Sequence, residues 1–150
     1  MGRFLRQVDG AESIVYLSPF AGSVFTTAML GRCLHHVHAQ ENYVTADMGS
    51  DYWETHRQID TSISLTFMNL PAHLRLSPAA EDVNVVFLHL NLHVTVILLH
   101  QMAIKKVTKH RVDPGIKQRS FQRCLVSSVE IKNIIHSVKD LRMFSVGYTN

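Results

Sequence analysis

Between Val83 and Ile104 the chain runs VNVVFLHLNLHVTVILLHQMAI, 22 residues without one Asp, Glu, Lys or Arg. On a helical wheel Asn84, Asn91 and Thr95 share one narrow face. His89, His93 and His100 fall in a second stripe, about 40° wide at 100° per residue, and apolar side chains fill nearly everything else. A helix that is apolar almost all round sits at the centre of a core. Its length also suffices to cross a bilayer, which takes about 20 residues. However, Asn84, His89, Asn91, His93, His100 and Gln101 interrupt it, and the cleanest run, Val94–Leu99, still contains Thr95. The pattern predicts a buried rod rather than a membrane span. Glu81 and Asp82 open it, and it ends among Lys105, Lys106, Lys109 and His110, so each charge suits its end of the helix dipole.

Three further segments have helical character. Ser18 before Pro19 offers an N-cap hydroxyl and a proline at the first helical position. The following FAGSVFTTAMLGRCLHHVHAQ puts Phe20, Val24, Ala28, Cys33 and Val37 near a common stripe, while Gly22 and Gly31 either weaken the helix or let a neighbour approach closely. AQENYVTADMGS then reads as a loop. A second helix starts at Ser50 or Asp51, where Asp51 and Glu54 resemble a capping box. Tyr52, His56, Ile59, Ile63, Phe67 and Leu70 step along it by three or four, and Pro71 halts it. Leu74 and Leu76 of the connector PAHLRLSPAA are expected to dip into the core. VDPG breaks the chain again at Asp113–Gly115. The last helix has Cys124, Ser128, Ile131, Ile135 and Val138 as its predicted inner stripe, flanked by Leu125, Ile134 and Leu141. The fold class is therefore all-α, with four main helices. Residues 1–17 read as a linker, 18–142 as the helical region and 143–150 as an irregular tail.

Charge changes this picture only in one place. The net charge is +3, but residues 1–100 hold five basic and nine acidic side chains, whereas residues 101–150 hold ten and three. Lys105, Lys106, Lys109, Arg111, Lys117, Arg119 and Arg123 surround one turn, opposed there by Asp113. The first three suit a helix end; Lys117 and Arg119 sit at a helix start, where positive charge is mildly disfavoured. An acidic partner would explain that placement, whether nucleic acid or protein. Direct DNA reading lacks its usual signs, since neither interleaved aromatics nor a recognition-helix pattern accompanies the patch. The two cysteines, 91 residues apart among apolar neighbours, make no disulfide framework and no four-cysteine zinc site, and suit a reducing compartment. The first ten residues lack the apolar core of a secretory signal.

Candidate chemistry centres on histidine. His89 and His93 have the i, i+4 spacing that can chelate a metal from one helix face, with His100 as a third candidate. No carboxylate lies between Val83 and Ile104, and the glutamate of an HExxH metalloprotease is missing. Neutral imidazoles hydrogen-bonded inside a core account for the stripe better than ligands do. His35, His36 and His38 read as a solvated helix end. No nucleophile elbow, SxxK or cysteine-protease signature is present, and no glycine-rich phosphate loop, so the chain does not read as an enzyme.

Four blocks in order carry a family resemblance: LSPFAGSVFTTAMLGRCLHHVH, DYWETHRQIDTSISLTFMNLPAHLRL, DVNVVFLHLNLHVTVILLHQMAIKK and RCLVSSVEIKNIIHSVKDL. Together they resemble the fungal-specific transcription factor domain, the regulatory middle region of fungal zinc binuclear-cluster activators, of the xylanolytic-activator and cutinase-regulator type. The most specific pieces are W-x-x-H-R at Trp53, His56 and Arg57, and L-P-x-H-L-R-L at Leu70, Pro71, His73, Leu74, Arg75 and Leu76. A third is L-H-x6-H-Q at Leu92, His93, His100 and Gln101. The resemblance implies an all-helical, non-catalytic domain downstream of a zinc cluster of six cysteines. It implies a nuclear protein that modulates activation through contacts with the transcription machinery, or through response to a small-molecule inducer.

The chain departs from the pattern in two ways. It has no C-x2-C-x6-C, so it holds neither the zinc nor the DNA-reading module. Beyond Leu141 another apolar helix would be expected, where RMFSVGYTN stands instead. The sequence therefore reads as a partial domain whose third and fourth helices expose apolar surface and favour self-association. The alternative reading is a helical small-molecule or metal sensor that uses the histidine stripe.

Overall fold

The computed structural model describes residues 16–39, 50–77, 82–111 and 113–138. Most of the N-terminal linker, most of the loop before Asp51, Glu81, Leu141 and the tail lie outside them. Among the described residues there are four α-helices and no strand: α1 (Pro19–Ala39), α2 (Asp51–Asn69), α3 (Val83–His110) and α4 (Pro114–Ser137). A 3-10 turn, Ala72–Leu74, follows α2. The fold is all-α, as the periodicity predicts.

Helix α3 is the central rod, with α1 packed along one side and α4 along the other, and α2 leaning against α1 and α3. It is also the one described helix long and apolar enough to cross a membrane, and half of its apolar window is buried against its neighbours. Its ends follow local rules. The Asp82 side chain accepts the Asn84 N–H, and Arg111, left-handed at φ 52°, closes the C-terminus by donating its N–H to Val107 O. Helix α1 begins as expected, with Ala21 N–H donating to Ser18 Oγ. Asp113 likewise caps α4, accepting the Gly115 N–H at 2.8 Å. The capping box read at Asp51 does not form. Ser50 is the N-cap and makes no side-chain cap bond, while Glu54 turns to Arg57 and Gln58.

The main core joins Met29 and Cys33 of α1, Ile59 and Ile63 of α2, Leu74 of the 3-10 turn, and Leu88, Leu92, Val96 and Leu99 of α3. This corrects the stripe read along α1. Phe20 and Val24 are 67% and 52% exposed, and the inner face is Gly22, Thr26, Met29, Cys33 and His36. Apolar residues occur all round α1, so the partner selects the face that admits the closest approach. A Cβ on Gly22 would lie 2.6 Å from Leu88 Cδ1, whereas one on Gly31 would meet open space. Gly22 is therefore a packing glycine. Gly31 has no such role.

Helix α4 needs a similar correction. Its buried positions are Ser120, Ser127 and Ile134, seven residues apart, with Val138 just beyond the helix. Ser128, Leu125 and Ile135 face outward, and Ile131 and Cys124 are half-buried. Small hydroxyls at Ser120 and Ser127 let α4 lie close to α3 and meet its histidines. Phe121, Leu125, Val129 and Ile135 consequently form an exposed apolar face on α4, in line with the surface expected of that helix.

Candidate functional site

Where α2, α3 and α4 converge, a cleft of about 800 Å³ opens. Its walls carry Trp53, Phe67, Val96, Ile116 and Val126, its rim Arg57, Arg119 and Arg123, and its floor Asp60, Ser64, His100, Ser120 and Ser127. The helical spacing of α2 explains the arrangement: Trp53, His56, Asp60, Ser64 and Phe67 recur every three or four residues and so line one side.

A polar strap crosses the floor. Arg123 of α4 pairs with Asp60 of α2 at 2.5 Å and reaches Ser64 Oγ at 3.3 Å. His100 of α3 lies between them, with Nε2 3.3 Å from Asp60 Oδ1 and Nδ1 3.1 Å from Ser120 Oγ. With Nε2 protonated towards Asp60, Nδ1 accepts the Ser120 hydroxyl. The 3.4 Å approach of Arg123 Nε to Nε2 belongs to the other tautomer. Burial alone would raise the Asp60 carboxyl. The hydrogen bond from His100 and the Arg123 charge outweigh it and hold the carboxyl down at about 2.

Ser120, His100 and Asp60 thus fall in the order hydroxyl, imidazole, carboxylate, which invites comparison with an acyl-transfer triad. Ser120 is 2% exposed and lies within α4, where backbone N–H groups are spent on the helix ladder rather than aimed at an oxyanion. Asp60 is neutralised by Arg123. The set ties three helices together.

The three stripe histidines do not converge on one point. His89 bonds Leu74 O at 2.9 Å, His93 Nδ1 meets Ser127 Oγ at 3.3 Å, and His100 engages Ser120 and Asp60. Burial lowers the pKa of both His89 and His93, favouring the neutral form. Among the described residues no group of three His, Cys, Asp or Glu side chains is placed to hold a metal ion. Burial pushes the Cys33 thiol up to about 11 and raises that of Cys124; each thiol faces a carbonyl of α3, Thr95 O and Ile97 O respectively.

Beyond the cleft's Trp53 end lies a group the sequence did not reveal. His36, read as part of a solvated helix end, is buried and stacks on Tyr52 with ring centroids 4.7 Å apart. Trp53 sits edge-on to Tyr52 and to His56, at 4.9 and 5.4 Å, and His56 meets His100 at 5.4 Å. Lys106 lies 4.8 Å above the Tyr52 ring. Burial, then the neighbouring His100, lowers the pKa of His56 to about 4; burial, then Lys106, lowers that of His36. Among the described residues Tyr52 OH, Trp53 Nε1, His56 Nδ1, His36 Nε2 and Ser50 Oγ have no hydrogen-bond partner. Each buried group left so costs about 1–3 kcal/mol. The i, i+4 pairing of Tyr52 with His56 was legible as core pattern. His36 was not, because its burial depends on α2 crossing α1.

The motif residues divide by role. Trp53 and His56 are buried while Arg57 faces out and pairs with Glu54 at 2.8 Å. The L-P-x-H-L-R-L segment is a clamp. Leu70 and Leu74 are buried, His73 Nε2 bonds Leu17 O at 2.8 Å, and Arg75 Nε donates to Leu70 O at 3.0 Å. Pro71 and Leu76 are half-buried around it, and Gln101 is exposed. The basic cluster is likewise divided. Lys106 and Arg123 are drawn inward, while Lys105, Lys109, Arg111, Lys117 and Arg119 are exposed.

One curated relative aligns with nearly the whole chain. The chain is 28% identical over 150 residues to the pigment biosynthesis transcriptional activator pigB of Monascus ruber. The alignment takes in 97% of this chain and 26% of that protein, so the chain spans about a quarter of its relative's length. The chain is similar to a fungal transcriptional activator. No protein-family model matches the chain, and no solved structure matches it.

Proposed function

We propose that this chain is a regulatory, non-DNA-reading region of a fungal zinc-cluster transcription factor, working in the nucleus and away from membranes. It modulates transcription through protein contacts or through response to a small-molecule inducer. The observation that carries the reading is the alignment of nearly the full chain with part of a transcriptional activator. The motif blocks quoted above support it, as does the all-helical fold. Zinc binding and base reading belong, on this view, to a module that these residues do not contain. The exposed face of α4 offers apolar area to a protein partner or a second copy.

The test is a reporter assay in yeast. Residues 1–150 are placed between a heterologous DNA-binding domain and an acidic activation segment. A several-fold change in output relative to the same fusion without them is the expected result. Equal output from the two fusions overturns the reading.

A further inference from the structure

We infer that the cleft between α2, α3 and α4 binds an aromatic carboxylic acid in its anionic form. Three observations specify that ligand. The walls are apolar and partly aromatic, with Trp53, Phe67, Val96 and Ile116 spaced along a cleft of about 800 Å³, within the size range of small-molecule sites. The charge of the lining is unbalanced, since Asp60 is its one carboxylate against three guanidiniums. Asp60 is already committed to Arg123, and Glu54 holds Arg57. Arg119 is exposed at the rim and joins no ion pair among the described residues, although the Asp113 carboxylate lies nearby across Gly115; its guanidinium is open to an anion.

The third observation is buried. Trp53 is 2% exposed, lines the cleft, and its Nε1–H has no acceptor among the described residues. An indole nitrogen donates and never accepts; this one is shut off from solvent, so an acceptor reaches it once the ring shifts in the cleft wall. Of the unfilled groups along this wall, Arg119 and Trp53 are pure donors, and His56 Nδ1 donates in one tautomer. A ring carrying a carboxylate supplies the apolar face and the acceptor oxygens together. A cationic or purely apolar molecule would leave both donors as they are. His56, beside Trp53, is kept neutral by burial and adds no competing charge.

Trp53 is the single tryptophan of the chain, so its fluorescence reports on this wall alone. The probes are 4-nitrobenzoate and its neutral analogue 4-nitrobenzamide, titrated into the intact 150-residue chain. Saturable quenching by the acid, with the amide about tenfold weaker, is expected. Arg119→Gln, a change at an exposed position, should weaken the acid about tenfold and leave the amide unchanged. Lys117→Gln, one turn-neighbour away but outside the lining, should change neither. Non-saturable quenching, equal affinity for acid and amide, or an equal loss in the two variants each overturns the proposal. The last of these would mark diffuse surface charge rather than a site. The use of such a ligand as an inducer rests on the regulatory reading, but the binding does not. A chain that binds the acid and leaves the reporter unmoved would sink the former alone.

Discussion

The two sides of α3 are built from different materials. Towards α1 the seam is mostly dry: Leu88, Leu92, Val96 and Leu99 meet Met29 and Cys33, Gly22 brings the backbones together, and a polar link, Asn91 Nδ2 donating to Thr27 Oγ1 at 2.9 Å, crosses it. Towards α4 and α2 it is polar in its middle, with His93 and His100 meeting Ser127, Ser120, Asp60 and Arg123, and apolar at one end, where Val86 meets Ile134 and Val138. The dry seam gains stability in proportion to apolar area and needs no orientation. The polar seam gains little net free energy, because each bond replaces one to water. It does fix which faces meet, since a rotated helix would leave charge and hydroxyl groups buried and unpaired. Stability and specificity are thus divided between the two flanks of one helix.

Leu92→Ala tests the dry seam most severely. The residue is fully buried, and its truncation should cost about 2–5 kcal/mol in urea unfolding. Leu125→Ala on the exposed face of α4 should stay within about 0.5 kcal/mol. A comparable loss at Leu125 would mean that another copy of the chain covers that face, which sedimentation of the wild type would reveal as association.

Acid should act on the polar side. The unfolded chain takes up a proton at His56 near its ordinary value of 6.5, while the folded chain resists until about 4. The unfolded state therefore binds more protons in that window, and stability falls as pH drops from about 6.5 to about 4, by on the order of 3 kcal/mol for this residue. His56→Phe should flatten that part of the pH profile of Tm. Asp60 adds a lower window. Its carboxyl sits at about 2 against an ordinary 3.8, so its stabilisation is complete above about 4 and is lost as pH falls through the folded value.

Asp60→Asn should cost less, about 1–2 kcal/mol, because Arg123 is half-exposed and recovers water. It should also remove the loss between pH 4 and 2. A cost as large as that of Leu92→Ala would show that the polar seam carries stability after all. The smallest effect separates the two glycines. Gly31→Ala should gain about 0.5–1 kcal/mol from helix propensity. Gly22→Ala should forfeit that gain, because its Cβ would press on Leu88. Thermal melts of the pair decide it.

Legibility in the sequence followed the same division. Helix α2 was readable to its ends, since Tyr52, His56, Ile59 and Ile63 alternate with charged residues and only one face can be buried. Helices α1 and α4 misled, because apolar side chains occur on more than one face. Phe20 and Val24, Leu125 and Ile135 looked as suitable for a core as Met29 or Ile134. The strap could not be foreseen at all. Asp60, His100 and Arg123 are separated by 40 and 23 residues in sequence, and no local spacing links them.

What the sequence determined by itself is local: where the helices start and stop, because caps, prolines and dipole charges act over one turn, and that α3 is central, because it is apolar nearly all round. What only the tertiary structure decided is which face of each outer helix turns inward, and hence where the cleft lies. That choice depends on how closely two surfaces can approach and whether their polar atoms find partners. Both are properties of pairs of helices, and neither helix alone encodes them.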